Sequence, residues 1–218
     1  SQDPVGFAQG GAAYFNRYAY VGNNPLNATD PSGMCGEENG NLTDCDVNFT
    51  NGVSKTDGEA ISSAVANVIS GMGQNSSRTA MNAIDTVNIG PGQAVDAATG
   101  APAQATAEFH ASGSRVANGD YSANKTGGTL NISSDAVIDP SSGQVDMELL
   151  TGVVYHEMGH GTPESIKAAI HGDTTSQENQ AEGIGIGNAI EDGALGPQTP
   201  RRVYTSPTTF YETPFKED

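Results

Sequence analysis

Apolar side chains along this 218-residue chain fall into blocks of different period, separated by polar, glycine-rich stretches. Ile61, Val65, Val68, Ile69 and Met72 recur at helical spacing behind Asp57, a suitable N-cap, so the pattern predicts a helix over 57–72. Residues 82–90 alternate like a strand, which Gly90-Pro91-Gly92 stops. A short strand is expected over 127–132, then a turn at Asp139-Pro140-Ser141-Ser142-Gly143. Leu149, Leu150, Val153 and Val154 belong to a buried helix expected over 146–160, closed by Gly161 and Pro163. A last helix is expected over 175–195, although Gly183, Gly185 and Gly187 each cost it about 1 kcal/mol relative to Ala. Glycine on alternate positions of a helix implies a very close neighbour. In the first 33 residues, Tyr14, Phe15, Tyr18 and Tyr20 read as a strand that ends in tight turns. Residues 35–55 have no apolar period and read as a flexible linker, 95–121 have no legible order, and the tail from Pro197 reads as extended.

Charge narrows the function classes. Twenty-six acidic against nine basic residues leave a net charge of −17, which disfavours a nucleic-acid binder, because phosphate affinity needs clustered Lys and Arg. Charged residues total only 16% and glycine contributes 28 positions, so the chain reads as loop-rich and small-cored rather than expanded by charge. No run approaches the ~18 apolar residues of a membrane span, and the start Ser1-Gln2-Asp3-Pro4 lacks the character of a signal peptide. Cys35 and Cys45 can pair in an oxidising compartment or remain two free thiols.

The motif with chemistry behind it is His156-Glu157-Met158-Gly159-His160. On a helix, positions i and i+4 project from one face, so both imidazoles can reach one zinc ion. Glu157 beside them can take a proton from a water activated by that ion and hand it to a leaving amine. A catalytic zinc needs a third protein ligand. Pro163 and Ile166 stand where a metzincin would carry Gly and His, which excludes that class. The remaining donors include His171, Asp173, Glu178, Glu182, Glu191 and Asp192. Thermolysin-like zincins take a glutamate from a following helix, and Glu178 and Glu182 both suit that position. A capping box Thr175-Ser176-Gln177-Glu178 would occupy Glu178 and favour Glu182 as ligand. A carboxylate one turn after the ligand, orienting a histidine, would reverse the two roles. Arg201, Arg202 and Tyr204 are candidate oxyanion donors, or a solvated tail. The strand over 128–132 is a candidate edge for an extended substrate, or an ordinary edge strand. His110 and His171 read as surface histidines.

The opening segment resembles the end of the core of Rhs/YD-repeat proteins. The resemblance rests on Asp3-Pro4-Val5-Gly6, on the run Asn16-Arg17-Tyr18-Ala19-Tyr20-Val21-Gly22-Asn23-Asn24-Pro25, and on Asp30-Pro31-Ser32-Gly33. It implies a repeat cocoon enclosing a C-terminal toxin, released by an aspartyl autoprotease whose carboxylates would be Asp3 and Asp30, with cleavage near Met34-Cys35. The remainder resembles the HExxH zinc-metallopeptidase toxin domains at the ends of such proteins, with Glu182, Asn188 and Leu195-Gly196-Pro197 approximating the order of their downstream residues.

Together these readings lead us to expect an α+β fold, small and zincin-like, with a short antiparallel sheet, an HExxH helix and a following ligand helix. Residues 1–34 would end the Rhs core, 35–55 would be linker and 56–218 the toxin domain. Expected partners are Zn2+, a target-cell protein substrate, the parent cocoon and an immunity protein, with no nucleic acid and no membrane span. The chain would be secreted and delivered into a target cell. The competing expectations are a zinc amide hydrolase acting on a non-protein target such as peptidoglycan, and a non-catalytic binding module.

Overall fold

The computed structural model describes residues 35–50, 52–92, 105–110, 127–206 and 209–214. Asp3, Asp30 and the aromatic N-terminal segment lie outside them. The segment expected to be a linker instead carries three strands, β1 (Gly36–Glu38), β2 (Asn41–Thr43) and β3 (Asp46–Phe49). β1 and β2 form a hairpin whose turn residues Asn39 and Gly40 both have positive φ, 53° and 76°. Asn-Gly is the dipeptide that such a two-residue turn favours. A disulfide joins Cys35 to Cys45, and Cys35 is buried in the core with its N–H donated to Ile84 O at 3.0 Å.

Helix α1 (Lys55–Gly71) begins two residues before the expected start, because Ser54 rather than Asp57 caps it: Ser54 Oγ accepts the Asp57 N–H at 3.1 Å. A short helix α2 (Ser76–Met81), not foreseen, leads to β4 (Ile84–Gly90). The stretch without legible order contains β5 (Ala105–His110), and β6 (Gly127–Ser133) follows. The main sheet runs β3-β4-β6-β5, with β3, β4 and β6 parallel and only β5 antiparallel. The expected antiparallel sheet is therefore a mixed one. Its inner face buries Val87, Ile89, Leu130 and Ile132 in the core, with α1 packed on β4. The outer face carries a polar row: Asn48 donates to Asn88, Asn88 to Asn131 and Asn131 to Thr106, at 3.1, 2.8 and 3.2 Å. This two-sided alternation sets the sheet's register, since a one-residue slip would bury the amides.

A short helix α3 (Ser134–Val137) and the two-residue strands β7 (Ile138–Asp139) and β8 (Gln144–Val145) bracket the foreseen turn, where Gly143 has φ +68°. Helix α4 (Met147–His160) is capped by Asp146, whose side chain accepts the Leu149 N–H. It ends at His160 with Gly161 as its C-cap, as expected, and Pro163 starts a new helix, α5 (Pro163–Ile170), at the position where its missing N–H costs nothing. Helix α6 (Thr174–Glu191) packs along α4. The expected extended tail is a hairpin of β9 (Pro200–Ser206) and β10 (Thr209–Pro214), with β9 lying on α6. Among the described residues no helix is long and apolar enough to cross a membrane. The fold is mixed α and β, with six helices and small sheets among those residues.

Candidate metal centre

The site is built where α4 crosses α6. Two glycines permit the approach: a Cβ on Gly159 would strike the backbone of Ala181, and one on Gly185 the backbone of Tyr155 and His156. The close neighbour expected for the alternate glycines of α6 is thus met at Gly185, whereas Gly183 faces open space. A second anchor lies behind α4, where the Tyr155 hydroxyl donates to Asp192 Oδ2 at 2.7 Å and Asn75 donates to both oxygens of the same carboxylate. Burial pushes the Asp192 carboxyl up, but the Gly73 N–H, the Tyr155 hydroxyl and the Asn75 amide outweigh it and hold the group below its ordinary range.

Helical spacing brings His156 and His160 onto one face, with ring centroids 5.0 Å apart, and both are buried. The ligand-type atoms of His156, Glu157 and His160 lie within 4.8 Å of one another, a buried group able to hold a metal ion. Glu157 Oε2 is buried without a hydrogen-bond partner, as is His160 Nδ1. An unpaired buried carboxylate oxygen is costly.

Helix α6 contributes two carboxylates that do different things. Glu178 Oε2 lies 3.3 Å from His156 Nε2 and 3.5 Å from His160 Nε2, facing both ring nitrogens that point into the site. Glu182 stands behind His156, with Oε2 2.6 Å from Nδ1, while its Oε1 accepts the Arg202 N–H at 2.6 Å. The expected capping box is absent: Asp173 caps α6, accepting the Ser176 N–H at 2.9 Å, so Glu178 has no end-capping task and is left to face the histidines. Burial disfavours the His156 imidazolium, yet the hydrogen bonds to Glu178 and Glu182 more than reverse this and raise its pKa to about 10. Burial likewise pushes Glu178 up, but its bonds to His156 and His160 take it down to about 2. His171 is the C-cap of α5 and Asp173 the N-cap of α6, and neither belongs to the group formed by His156, Glu157 and His160.

The β9–β10 hairpin brings Tyr204 over the site, its ring centroid 6.0 Å from that of His156. Tyr204 is buried, which together with the nearby Glu182 and Glu178 keeps its phenol protonated far above ordinary pH despite the opposing effect of Arg202. Phe210 packs against Tyr204 at 5.4 Å, and the Arg202 guanidinium stands 4.7 Å over the Phe210 ring. Arg201 lies on the same strand. The strand offered as a substrate edge, β6, is interior to the sheet, hydrogen-bonded on both sides by β4 and β5. The edge strand packed against α4 is β5. Only the alternation Ala105-Thr106-Ala107 within a small-residue stretch marked it in the sequence, too weak a signal to find it. Asn179, which bonds the backbone of Tyr204, likewise had no local signature.

Comparison with family models, with curated proteins and with solved structures yields no match for this chain.

Proposed function

We propose that this domain is a zinc-dependent peptidase in which His156, His160 and Glu178 hold the metal. The observation that carries the reading is the approach of one Glu178 oxygen to both Nε2 atoms, at 3.3 and 3.5 Å. Two ligands of a tetrahedral zinc, each at about 2.0–2.1 Å, sit roughly 3.3–3.4 Å apart, so each of these two separations suits a carboxylate and an imidazole bound to the same ion. Two imidazoles and a carboxylate form a known catalytic zinc set. Glu182 supports it by accepting from His156 Nδ1, which fixes the tautomer that presents Nε2 to the metal.

When bound, the ion would polarise the scissile carbonyl and make water a nucleophile near neutral pH. Glu157, with its free Oε2, takes the proton of the attacking water and returns it to the leaving amine. Tyr204, held protonated near His156, donates to the oxyanion. The edge of β5 pairs with an extended substrate. On the Rhs resemblance of residues 3–33, the peptidase is the toxin of a secreted effector and acts on a target-cell protein. The test is zinc analysis of the purified chain, together with mapping of new protein termini in cells expressing it or Glu157→Ala. Termini that appear equally with the variant would sink the reading.

A second reading, amide hydrolysis of a non-protein target such as peptidoglycan, is favoured by one observation. The Cys35–Cys45 disulfide suits an oxidising compartment, where cell-wall cross-links lie. Release of soluble fragments from purified peptidoglycan by wild type but not by Glu157→Ala would choose it.

A further inference from the structure

Strand β9 has two edges. One pairs with β10, Arg202 opposite Glu212 and Tyr204 opposite Phe210. The other is covered by side chains of helix α6 rather than by a strand. The Arg202 N–H donates to Glu182 Oε1 at 2.6 Å. Two residues on, the Tyr204 N–H donates to Asn179 Oδ1 at 2.8 Å, while Tyr204 O accepts from Asn179 Nδ2 at 2.8 Å. The Asn179 amide thus exchanges two hydrogen bonds with one residue of β9, as a neighbouring strand would. The amide side chains are suited to this, since each carries a carbonyl acceptor and an NH2 donor side by side. Aspartate lacks the donor and would add a third carboxylate beside Glu178 and Glu182.

The geometry points to Asn179 as a positioning residue: it latches β9 onto α6 so that the Arg202 N–H engages Glu182, and through Glu182 it fixes the His156 ring. This inference rests on the metal reading above. The chain of contacts is short and complete. Asn179 holds Tyr204, the rigid strand carries Arg202 two residues away, Arg202 pins Glu182 Oε1, and Glu182 Oε2 is left aimed at His156 Nδ1 at 2.6 Å. Without the Arg202 N–H, one oxygen of a buried carboxylate would lose its partner, and the side chain would turn from His156 to find another. Ligand, latch and supporting carboxylate (Glu178, Asn179 and Glu182) fall within little more than one turn of α6. The hairpin therefore acts as a wall of the site and also sets the orientation of a metal-binding histidine.

The test compares the full chain with Asn179→Ala, which breaks the latch, and with Arg202→Pro, which removes the N–H to Glu182 together with the guanidinium over Phe210. Amide hydrogen exchange is read at Tyr204, and Zn2+ affinity by competition with a chromophoric chelator. Asn179→Ala is expected to speed exchange at Tyr204 at least tenfold, and both variants to weaken zinc about tenfold, the low end of what loss of an outer supporting contact does. Unchanged exchange at Tyr204 in Asn179→Ala overturns the latch. Faster exchange with zinc affinity within twofold of wild type in both variants overturns the coupling, because a merely structural role for Asn179 would leave the metal untouched. Absence of zinc uptake by wild type would instead defeat the metal reading. The coupling is then read from the imidazole 15N shifts of His156, which must move in Asn179→Ala if the inference holds and overturn it if they do not.

Discussion

The sharpest expectation concerns the two glutamates of α6, which differ by one helical turn but occupy different places. Glu178 Oε2 faces both Nε2 atoms, and Glu182 is fully engaged by His156 Nδ1 and the Arg202 N–H. Replacing each by Gln keeps side-chain length and removes the charge. Zinc sites with four protein ligands bind with about 10–16 kcal/mol, or roughly 2.5–4 kcal/mol per ligand if shared evenly. Glu178→Gln should therefore weaken zinc about 10²- to 10³-fold, since 1.4 kcal/mol is tenfold. Glu182→Gln removes an orienting partner and should cost about 10- to 100-fold. The amide oxygen can still accept from His156 or from Arg202, though not from both as well as a carboxylate does. Chelator competition measures both constants, and the visible spectrum of the Co2+-substituted protein separates the two roles. Loss of a ligand changes the coordination and shifts the band, whereas loss of the supporting carboxylate leaves it in place. Near-native zinc affinity in Glu178→Gln, with a shifted band and the larger loss in Glu182→Gln, would refute the assignment and make Glu182 the ligand.

Gly185→Ala should destabilise the fold by about 1–3 kcal/mol or more, because its Cβ would meet the backbone of α4, which cannot move aside; Gly183→Ala, in open space, should stabilise it by up to about 1 kcal/mol. Paired denaturant titrations check both signs. The Asp192 carboxyl is held below its ordinary range, so its contribution should be complete above about pH 4, its value when unfolded, and be lost as pH falls through the lower folded value. Thermal melts between about pH 2 and 5 should show a shallower fall for Asp192→Asn than for wild type, and parallel curves would refute the role. Reducing the Cys35–Cys45 bond, ten residues apart, should cost about 3 kcal/mol from loop-closure entropy, read as a lower denaturant midpoint in dithiothreitol.

Much of the local structure was legible. The apolar spacing behind residue 57 and before His156 located α1 and α4 to within two residues, since a buried helical face leaves a strong periodic trace. The β1–β2 hairpin was missed and read as linker: its turn dipeptide Asn39-Gly40 is flanked by strands that are short and polar, held by the disulfide and by packing under α1. Strand β3 has a weak pattern because its pairing with β4 is parallel and joins segments about forty residues apart. The C-terminal hairpin has Pro and Thr where an extended tail would, and only its docking on α6 distinguishes the two.

What the sequence determined by itself is the shared face of His156 and His160 with Glu157 beside them, because helical periodicity is a local property of five residues. It also determined that a carboxylate of α6 could reach that face. Which carboxylate does so was a tertiary matter. Glu178 and Glu182, at i and i+4, lie on the same side of α6, so local geometry cannot tell them apart. The crossing at Gly159 and Gly185 sets how far α6 slides along α4, and that height puts Glu178 opposite the two Nε2 atoms and Glu182 behind His156. Strand β9, twenty residues further along the chain, then holds Glu182 in place through the Arg202 N–H, a contact that no local pattern could encode.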